Sequence, residues 1–353
     1  MAELRLAGVG ARVMVAPMGG GPSTPQLVAA VGEAGGLGFL AGGYKTAAQL
    51  AEEIHAVRHL SNTQFGVNLF VPIAVSTAEV ARIPEYAKAL ATRAGALGVT
   101  LGEPIHSDDD FTAKLELVLS ERPLLVSFTF GLPPTEVVDR LQRAGVLVLV
   151  TVTSVGEGQQ AAAAGADGLV VQGWEAGAHR GGFTDRPEDE ELGLLPLLRL
   201  IRRRGDLPMV ASGGLGDGAG VAAVLVAGAC AAMLGTAFLR CPEAGTSPIH
   251  AGALEGPHRT VVTRAFTGRR ARGLQNAFID EFSALAPAAY PEVHYLTAPL
   301  RVAARRQEQL DDMHLWAGQA HELARPLPAG ELVQVLLEEA RAALKPSFFP
   351  TVS

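Results

Sequence analysis

Eight short runs of aliphatic and β-branched residues recur along this chain. They are Arg12–Ala16, Leu37–Ala41, Gln64–Phe70, Pro123–Phe128, Val146–Val150, Gly168–Val171, Pro208–Ala211 and Ala231–Leu234. Between most of them lie Ala-, Leu- and Glu-rich segments whose apolar residues fall three or four apart: Thr24–Ala34, Thr46–His59, Thr135–Ala144, Gly156–Ala164 and Gly216–Val226. Near-continuous apolar runs suit strands covered on both faces, and the longer periodic segments suit amphipathic helices. Ser23 or Thr24 before Pro25 is a helix-start signal. Strand-helix alternation predicts a parallel sheet with right-handed crossovers, and eight strands in series predict a (β/α)8 barrel. The alternative, an open doubly wound sheet, would carry GxGxxG after its first strand, and none stands there.

Two stretches break the alternation. Residues 71–121 are too long for one crossover and predict an extra helix or two beside Glu85–Leu97. Within them, Asp108-Asp109-Asp110 reads as a solvated loop or a helix cap. After Thr236, residues 241–327 read as helices and loops without strong strands, with an amphipathic helix over Arg301–Gly318 and another over Glu331–Leu344. The expected organisation is a barrel over residues 1–240, a smaller, mainly helical lid over 241–329, and a final helix in 330–353 that packs back on the barrel.

Composition narrows the function. The chain has 353 residues, a formal charge of −7 and no long basic run, so nucleic acid is not an expected partner. No apolar run reaches membrane-spanning length and no signal-peptide layout opens the chain. Cys230 and Cys241 form no CxxC or Cys/His pattern, which suggests a reducing, cytoplasmic setting and no structural zinc. A monomer or a homodimer is expected.

In a (β/α)8 barrel the site forms from the loops at the carboxyl ends of the strands. Strand one ends Ala16-Pro17-Met18, strand three carries Asn68, and strand six ends at Gln172. Strand seven ends in Ser212-Gly213-Gly214, and strand eight in Met233-Leu234-Gly235-Thr236. The last two loops form the usual phosphate corner of the fold: glycine lets backbone N–H groups approach phosphate oxygens, a hydroxyl adds a donor and a helix start adds its dipole. Amides such as Asn68 and Gln172 can either satisfy loop backbone or meet a heterocycle edge bearing donors and acceptors, such as the pyrimidine side of a flavin. With a phosphate corner beside them a phosphorylated heterocycle is favoured, and FMN is the simplest choice. The loop Gly173–Gly182 holds four glycines and one of nine histidines, His179. A neutral imidazole there could take a proton from a substrate carbon. Glu175 lies four residues before it, but Gly177 between them and the lack of a third ligand argue against a metal.

These residues also carry a resemblance. Ala16–Gly21, Ser23-Thr24-Pro25, Ala34–Gly38, Gly66–Phe70, Gln172–Gly182, Gly235-Thr236, Phe266–Gly273 and Trp316–Gln319 together resemble the nitronate monooxygenase family, formerly called 2-nitropropane dioxygenases, over nearly the whole chain. The resemblance implies an FMN-dependent barrel that converts alkyl nitronates, with O2, to a carbonyl compound and nitrite. It implies FMN contacts from Ala16, Pro17, Met18, Asn68, Gln172, Gly177, Gly181, Gly182, Ser212, Gly213, Gly214 and Met233 to Thr236, with Met18 beside the isoalloxazine. His179 would deprotonate a neutral nitroalkane; a nitronate needs no base. The loop departs from the family in one place: Ala178 stands where a second glycine often precedes the histidine. Rival readings are an FMN-dependent enoyl-acyl-carrier-protein reductase using NAD(P)H, a non-catalytic flavin-binding protein, and a phosphosugar isomerase, which would need acid/base carboxylates at the strand ends.

Overall fold

The computed structural model describes residues 10–344. Eight parallel strands form its centre: β1 (Val13–Val15), β2 (Gly38–Ala41), β3 (Phe65–Phe70), β4 (Leu125–Thr129), β5 (Leu147–Val152), β6 (Gly168–Gln172), β8 (Met209–Ser212) and β9 (Ala231–Leu234). They pair in the order β1-β9-β8-β6-β5-β4-β3-β2. The sheet closes on itself where Val15 N donates to Leu37 O at 2.9 Å and Leu37 N donates to Val13 O at 3.1 Å. The molecule is therefore a TIM barrel.

Side-chain alternation builds two cores. Met14, Phe39, Leu125, Leu147, Leu149, Val170, Val210 and Met233 fill the barrel interior. Val13, Val15, Val150, Val152 and Val171 point outward against the helices. Those helices start as their sequences dictate. Thr24 caps α1 (Pro25–Glu33) through its hydroxyl, 3.0 Å from Leu27 N, with Pro25 in the first turn. Thr46 and Gln49 form a capping box on α2 (Ala47–Leu60).

The long insertion after β3 holds three helices: α3 (Thr77–Val80), α4 (Ile83–Ala96) and α5 (Phe111–Glu121). The acidic run before α5 is less solvated than expected. Asp109 pairs with the buried Lys114 at 2.8 Å and accepts from Tyr44 N at 2.8 Å, so this carboxylate ties the insertion to the β2 loop. Desolvation raises its pKa. Asp110 occupies the cap position of α5 without a side-chain cap bond, and instead accepts from Ala47 N at the start of α2 at 2.9 Å.

The outer ring continues with α6 (Thr135–Arg143), α7 (Val155–Ala163), α8 (Leu194–Arg202) and α9 (Gly218–Val226). After β9 come α10 (Pro248–Ala253), β10 (Thr260–Thr263), β11 (Ala271–Leu274), α11 (Ala277–Phe282), α12 (Glu292–Arg306) and α13 (Ala329–Ala343). Two expectations fail here. The segment does contain strands: β10 and β11 pair antiparallel, and β11 also pairs with β7 (Ala178–His179), the two-residue strand of the catalytic-loop candidate. The helix expected over 301–318 begins earlier and stops at Arg306, because Glu308 takes a left-handed φ of 56° and residues 310–312 form a 3-10 turn. The smaller core also joins two chain segments, since Ile83, Tyr86, Leu90 and Ala94 of α4 pack with Leu254, Phe266, Phe278 and Leu296. The 241–329 boundary leaves α4 out. Leu332, Val333 and Leu336 of α13 join the same core as Leu27 of α1 and Val221 of α9. Residues 1–9 and 345–353 lie outside the described residues, and the expected 330–353 helix is observed only to Ala343. Among the described residues no helix is long and apolar enough to cross a membrane.

Candidate active site

One cavity opens at the carboxyl ends of the strands. Its wall gathers Ala16, Pro17, Met18, Asn68, Gln172, Gly177, His179, Ser212, Gly213, Gly214, Met233, Leu234, Gly235 and Thr236. Residues as far apart in sequence as Ala16 and Thr236 meet there because β1 and β9 are neighbours in the sheet. Two of the expected contact residues do not line it. Gly181 is pressed into the barrel top, where its N–H donates to Gln172 Oε1 at 2.8 Å and its carbonyl accepts from Phe130 N at 3.1 Å. Gly182 faces the buried Arg269, whose guanidinium donates to its carbonyl. Added Cβ atoms at these glycines would stand 2.7 Å from Thr151 Cγ2 and 2.6 Å from Thr153 Oγ1, so close packing explains both.

The phosphate corner is built differently from the expectation. Gly213 and Gly214 adopt φ of 110° and 68°, and a Cβ there would crowd Ala176 at 3.0 Å and Glu175 at 2.8 Å. The fold alone demands these two glycines. Gly235 is the informative one: its φ is negative and a Cβ would find nothing nearer than Ala16 Cβ at 3.5 Å. The protein leaves that space open beside Met18. The dipole of α9 is not on offer either, since Asp217 caps Gly220 N at 2.8 Å and Glu339 takes Gly218 N at 2.9 Å. Free N–H groups remain at the corner, because among the described residues those of Gly213 and Gly214 reach no protein acceptor.

The two amides divide their work. Gln172 spans the loop, with Nε2 donating to His179 O at 3.1 Å and Oε1 accepting from Gly181 N. Asn68 is buried and its Nδ2 donates to Ser127 Oγ and Thr129 Oγ1, both at 2.9 Å. Its Oδ1 accepts from no group among the described residues. Thr246 Oγ1 and His314 Nδ1, on residues that line the cavity, are buried without a partner. An unpartnered Asn68 Oδ1 beside an apolar floor of Met18, Val170, Met233 and Leu234 is what a bound heterocycle bearing a ring N–H would complete.

His179 sits in the wall with its ring among Phe130, Tyr290 and Trp316, at centroid distances of 5.7, 5.5 and 5.8 Å. Its Nε2 is 2.9 Å from Thr267 Oγ1. Burial, then the nearby Arg269 and Arg301 guanidinium groups, push its pKa down to about 3, so the imidazole is neutral at ordinary pH. Glu175 does not orient this ring. Its carboxylate accepts from Leu194 N at the start of α8, at 3.1 and 3.0 Å. Trp174 lies outside the cavity, under the guanidinium groups of Arg180, Arg270 and Arg272 at 5.3, 5.9 and 5.6 Å. Ala178 holds a φ of 59°, the left-handed conformation that the family's glycine would adopt without strain. No group of His, Cys, Asp and Glu able to hold a metal occurs among the described residues.

Sequence reasoning assigned no role to the arginines of residues 264–272, although the motif was visible. They anchor the histidine loop: Arg269 Nε donates to Arg180 O at 3.1 Å, Arg270 Nε pairs with Asp185 at 2.7 Å, and Arg272 donates to Trp174 O at 2.9 Å. Arg180 in turn donates to Gln172 O at 3.0 Å. Gly177 closes the loop against Ala317 and Gly318, for a Cβ there would lie 2.5 Å from Gly318 N. Gly177→Ala is therefore expected to lower stability by about 1–3 kcal/mol through overpacking. A thermal melt within error of the parent would contradict this.

Four histidines near the cavity share one electrostatic fate. Burial, as the leading cause, lowers His179 to about 3, His250 to about 4 and His294 to about 2, and takes His314 well below its ordinary value. The folded state keeps them neutral, whereas the unfolded chain protonates them below about pH 6.5. Their contribution to stability is complete above that pH and is lost progressively as pH falls from about 6.5 through 4 and below. The melting temperature should drop steeply between pH 6.5 and 4, and a flat profile there would show that these rings are not held neutral.

A barrel with a neutral histidine and open N–H donors in one mouth cavity is the layout of a cofactor-assisted barrel enzyme. The chain belongs to the nitronate monooxygenase family, whose model matches residues 6–339. It is 42% identical to a nitronate monooxygenase of Pseudomonas aeruginosa, covering 96% of this chain and 98% of that one. It is 39% identical to one from Paraburkholderia phytofirmans, covering 98% and 96%. A solved structure of a nitroalkane oxidase from Streptomyces ansochromogenes superposes with a TM-score of 0.93 at 48% identity, over 96% of this chain and 98% of that one. FabK from Thermotoga maritima shares the fold at a TM-score of 0.75 and 24% identity, over 96% of both chains. Membership places the protein among the flavin-dependent oxidoreductases.

Proposed function

We propose that the protein binds FMN across the barrel mouth and converts alkyl nitronates, with O2, to a carbonyl compound and nitrite. His179 extends the substrate range to neutral nitroalkanes. The observation that carries this reading is one cavity holding both a neutral imidazole and the unused N–H groups of Gly213 and Gly214. Ser212–Gly214 and Gly235-Thr236 would take the phosphate, Ala16–Met18 with Met233 and Leu234 would lie against the ring system, and Asn68 Oδ1 would meet a ring N–H. Gln172 and Gly177 hold the loop and line the cavity at once. The flavin supplies the electron transfer from the nitronate and the onward reaction with oxygen.

The chain's own part is positioning and proton handling. Met18, Tyr44, Phe70, Phe130 and Trp316 keep the substrate end of the cavity largely apolar, which favours loss of water around a small nitro compound. His179, neutral in that setting, takes the α-proton from a nitroalkane. A substrate that arrives as the nitronate bypasses this step. The purified protein should release close to one FMN per chain on heating, and should consume O2 and release nitrite when given ethyl nitronate. Release of FAD, or of no flavin, would overturn the cofactor assignment, and FMN without nitrite would overturn the reaction.

A further inference from the structure

We propose that Thr267 is a positioning residue that fixes the tautomer of His179, so that Nδ1 rather than Nε2 takes the substrate proton. This rests on the reading of His179 as the base. Thr267 is buried on the turn between β10 and β11, in the motif whose arginines brace the loop. Its Oγ1 has three neighbours: His179 Nε2 at 2.9 Å, Arg269 O at 3.3 Å and Arg269 N at 3.5 Å. A hydroxyl has one proton and two lone pairs. Arg269 is 2% exposed, and a carbonyl can only accept. Giving the proton to Arg269 O satisfies that carbonyl. The two lone pairs then face Arg269 N–H and Nε2, and Nε2 must bring its own hydrogen. The opposite assignment strands a buried carbonyl without a donor.

With the hydrogen on Nε2, the basic lone pair lies on Nδ1. Among the described residues Nδ1 has no hydrogen-bond partner, and the ring it belongs to lines the cavity. No neighbour competes for it: Tyr290 Oη is engaged with Tyr44 Oη at 3.0 Å, and Glu175 is held at the start of α8. In the proposed step the α-carbon's C–H bond breaks, an N–H bond forms at Nδ1, and the C–H electron pair moves into the nitro group to give the nitronate. The imidazolium carries hydrogen on both nitrogens, so Nε2–H keeps its bond to Thr267 and the network need not rearrange. The hydroxyl orients the ring without adding the negative charge that a carboxylate partner would bring.

Thr267→Val keeps the shape and removes the hydroxyl, and Thr267→Ser keeps the hydroxyl. In the flavin-loaded enzyme, Thr267→Val is expected to lower kcat/KM on nitroethane by about 10–100-fold while leaving ethyl nitronate within about twofold. Thr267→Ser should recover most of the loss. With 15N-labelled histidine, the His179 signal, identified by its disappearance in His179→Asn, should report hydrogen on Nε2 in the parent and a mixture in Thr267→Val. A parent signal with hydrogen on Nδ1 overturns the proposal, even if Thr267→Val fails to fold. So does a Thr267→Val enzyme that handles nitroethane like the parent. Equal losses on both substrates in His179→Asn would instead remove the base reading and leave the tautomer measurement standing.

Discussion

His179→Asn is expected to lose activity on neutral nitroalkanes by about 10²–10⁴-fold, the usual worth of a positioned base, while activity on the matching nitronates changes by no more than a few-fold. Two facts make the split sharp. The imidazole is neutral in the folded protein, so its lone pair is unoccupied at ordinary pH. Among the cavity residues no carboxylate stands in for it: Glu175 is spent capping α8, and Asp185 is paired with Arg264 and Arg270. The same reading gives a pH dependence. Because the ring stays neutral well below pH 6.5, kcat/KM on the neutral nitroalkane should keep its value through pH 6, with the acid limb lying lower. An acid limb centred at an ordinary histidine value, or equal losses on both substrates, would remove His179 from the base role.

The second large effect belongs to the cofactor. Gly235→Val is expected to cut FMN retention by at least about tenfold with little change in the melting temperature of the flavin-free protein. The contrast with its neighbours is the reason. Substituting Gly213 or Gly214 forces a left-handed backbone and a clash with residues 175–176, so any cofactor loss there would be confounded with misfolding. At Gly235 the nearest atoms to a Cβ are Ala16 Cβ at 3.5 Å and Met18 Sδ at 3.7 Å, which is ordinary contact. The isopropyl group would then fill cavity rather than strain the fold. Full FMN occupancy in this variant would place the phosphate elsewhere.

The barrel was legible because its strands are covered on both faces and so read as unbroken apolar runs. Where the reading stopped short, it stopped for one reason. β4, β5, β6 and β8 each run one or two residues past the predicted end, into Thr129, Thr151 and Val152, Gln172 and Ser212. Polar side chains ended the apolar run but not the hydrogen-bond ladder. Several of those polar residues satisfy one another at the barrel mouth: Asn68 donates to Thr129, and Thr129 lies 3.2 Å from Thr151. The strand ends that looked like loop are the rim of the site.

Beyond β9 the sequence was harder to read. β11 is Ala-Arg-Gly-Leu, and an arginine-rich segment reads as solvated. The burial of Arg269, Arg270 and Arg272 depends on partners distant in the chain, Asp185, Asp189 and the carbonyls of Trp174, Arg180 and Thr184, which no local pattern exposes. The helix expected to start at Arg301 starts instead at Glu292, and it carries Pro299 inside it. Gly181 and Gly182, which the family resemblance implies for the cofactor, do not line the cavity and instead let Thr151, Thr153 and Arg269 pack against the chain. His179 itself was found from its loop. Thr267, 88 residues away, could be joined to it only by the pairing of β7 with β11.

The most direct test of the central claim is an anaerobic visible spectrum of the purified protein, recorded before and after ethyl nitronate and, separately, NADPH. The proposed reaction predicts loss of the oxidised flavin bands on adding nitronate, their return with nitrite release on admitting air, and no response to NADPH. Rapid bleaching by NADPH with nitronate inert would contradict it and assign the barrel to a reductase.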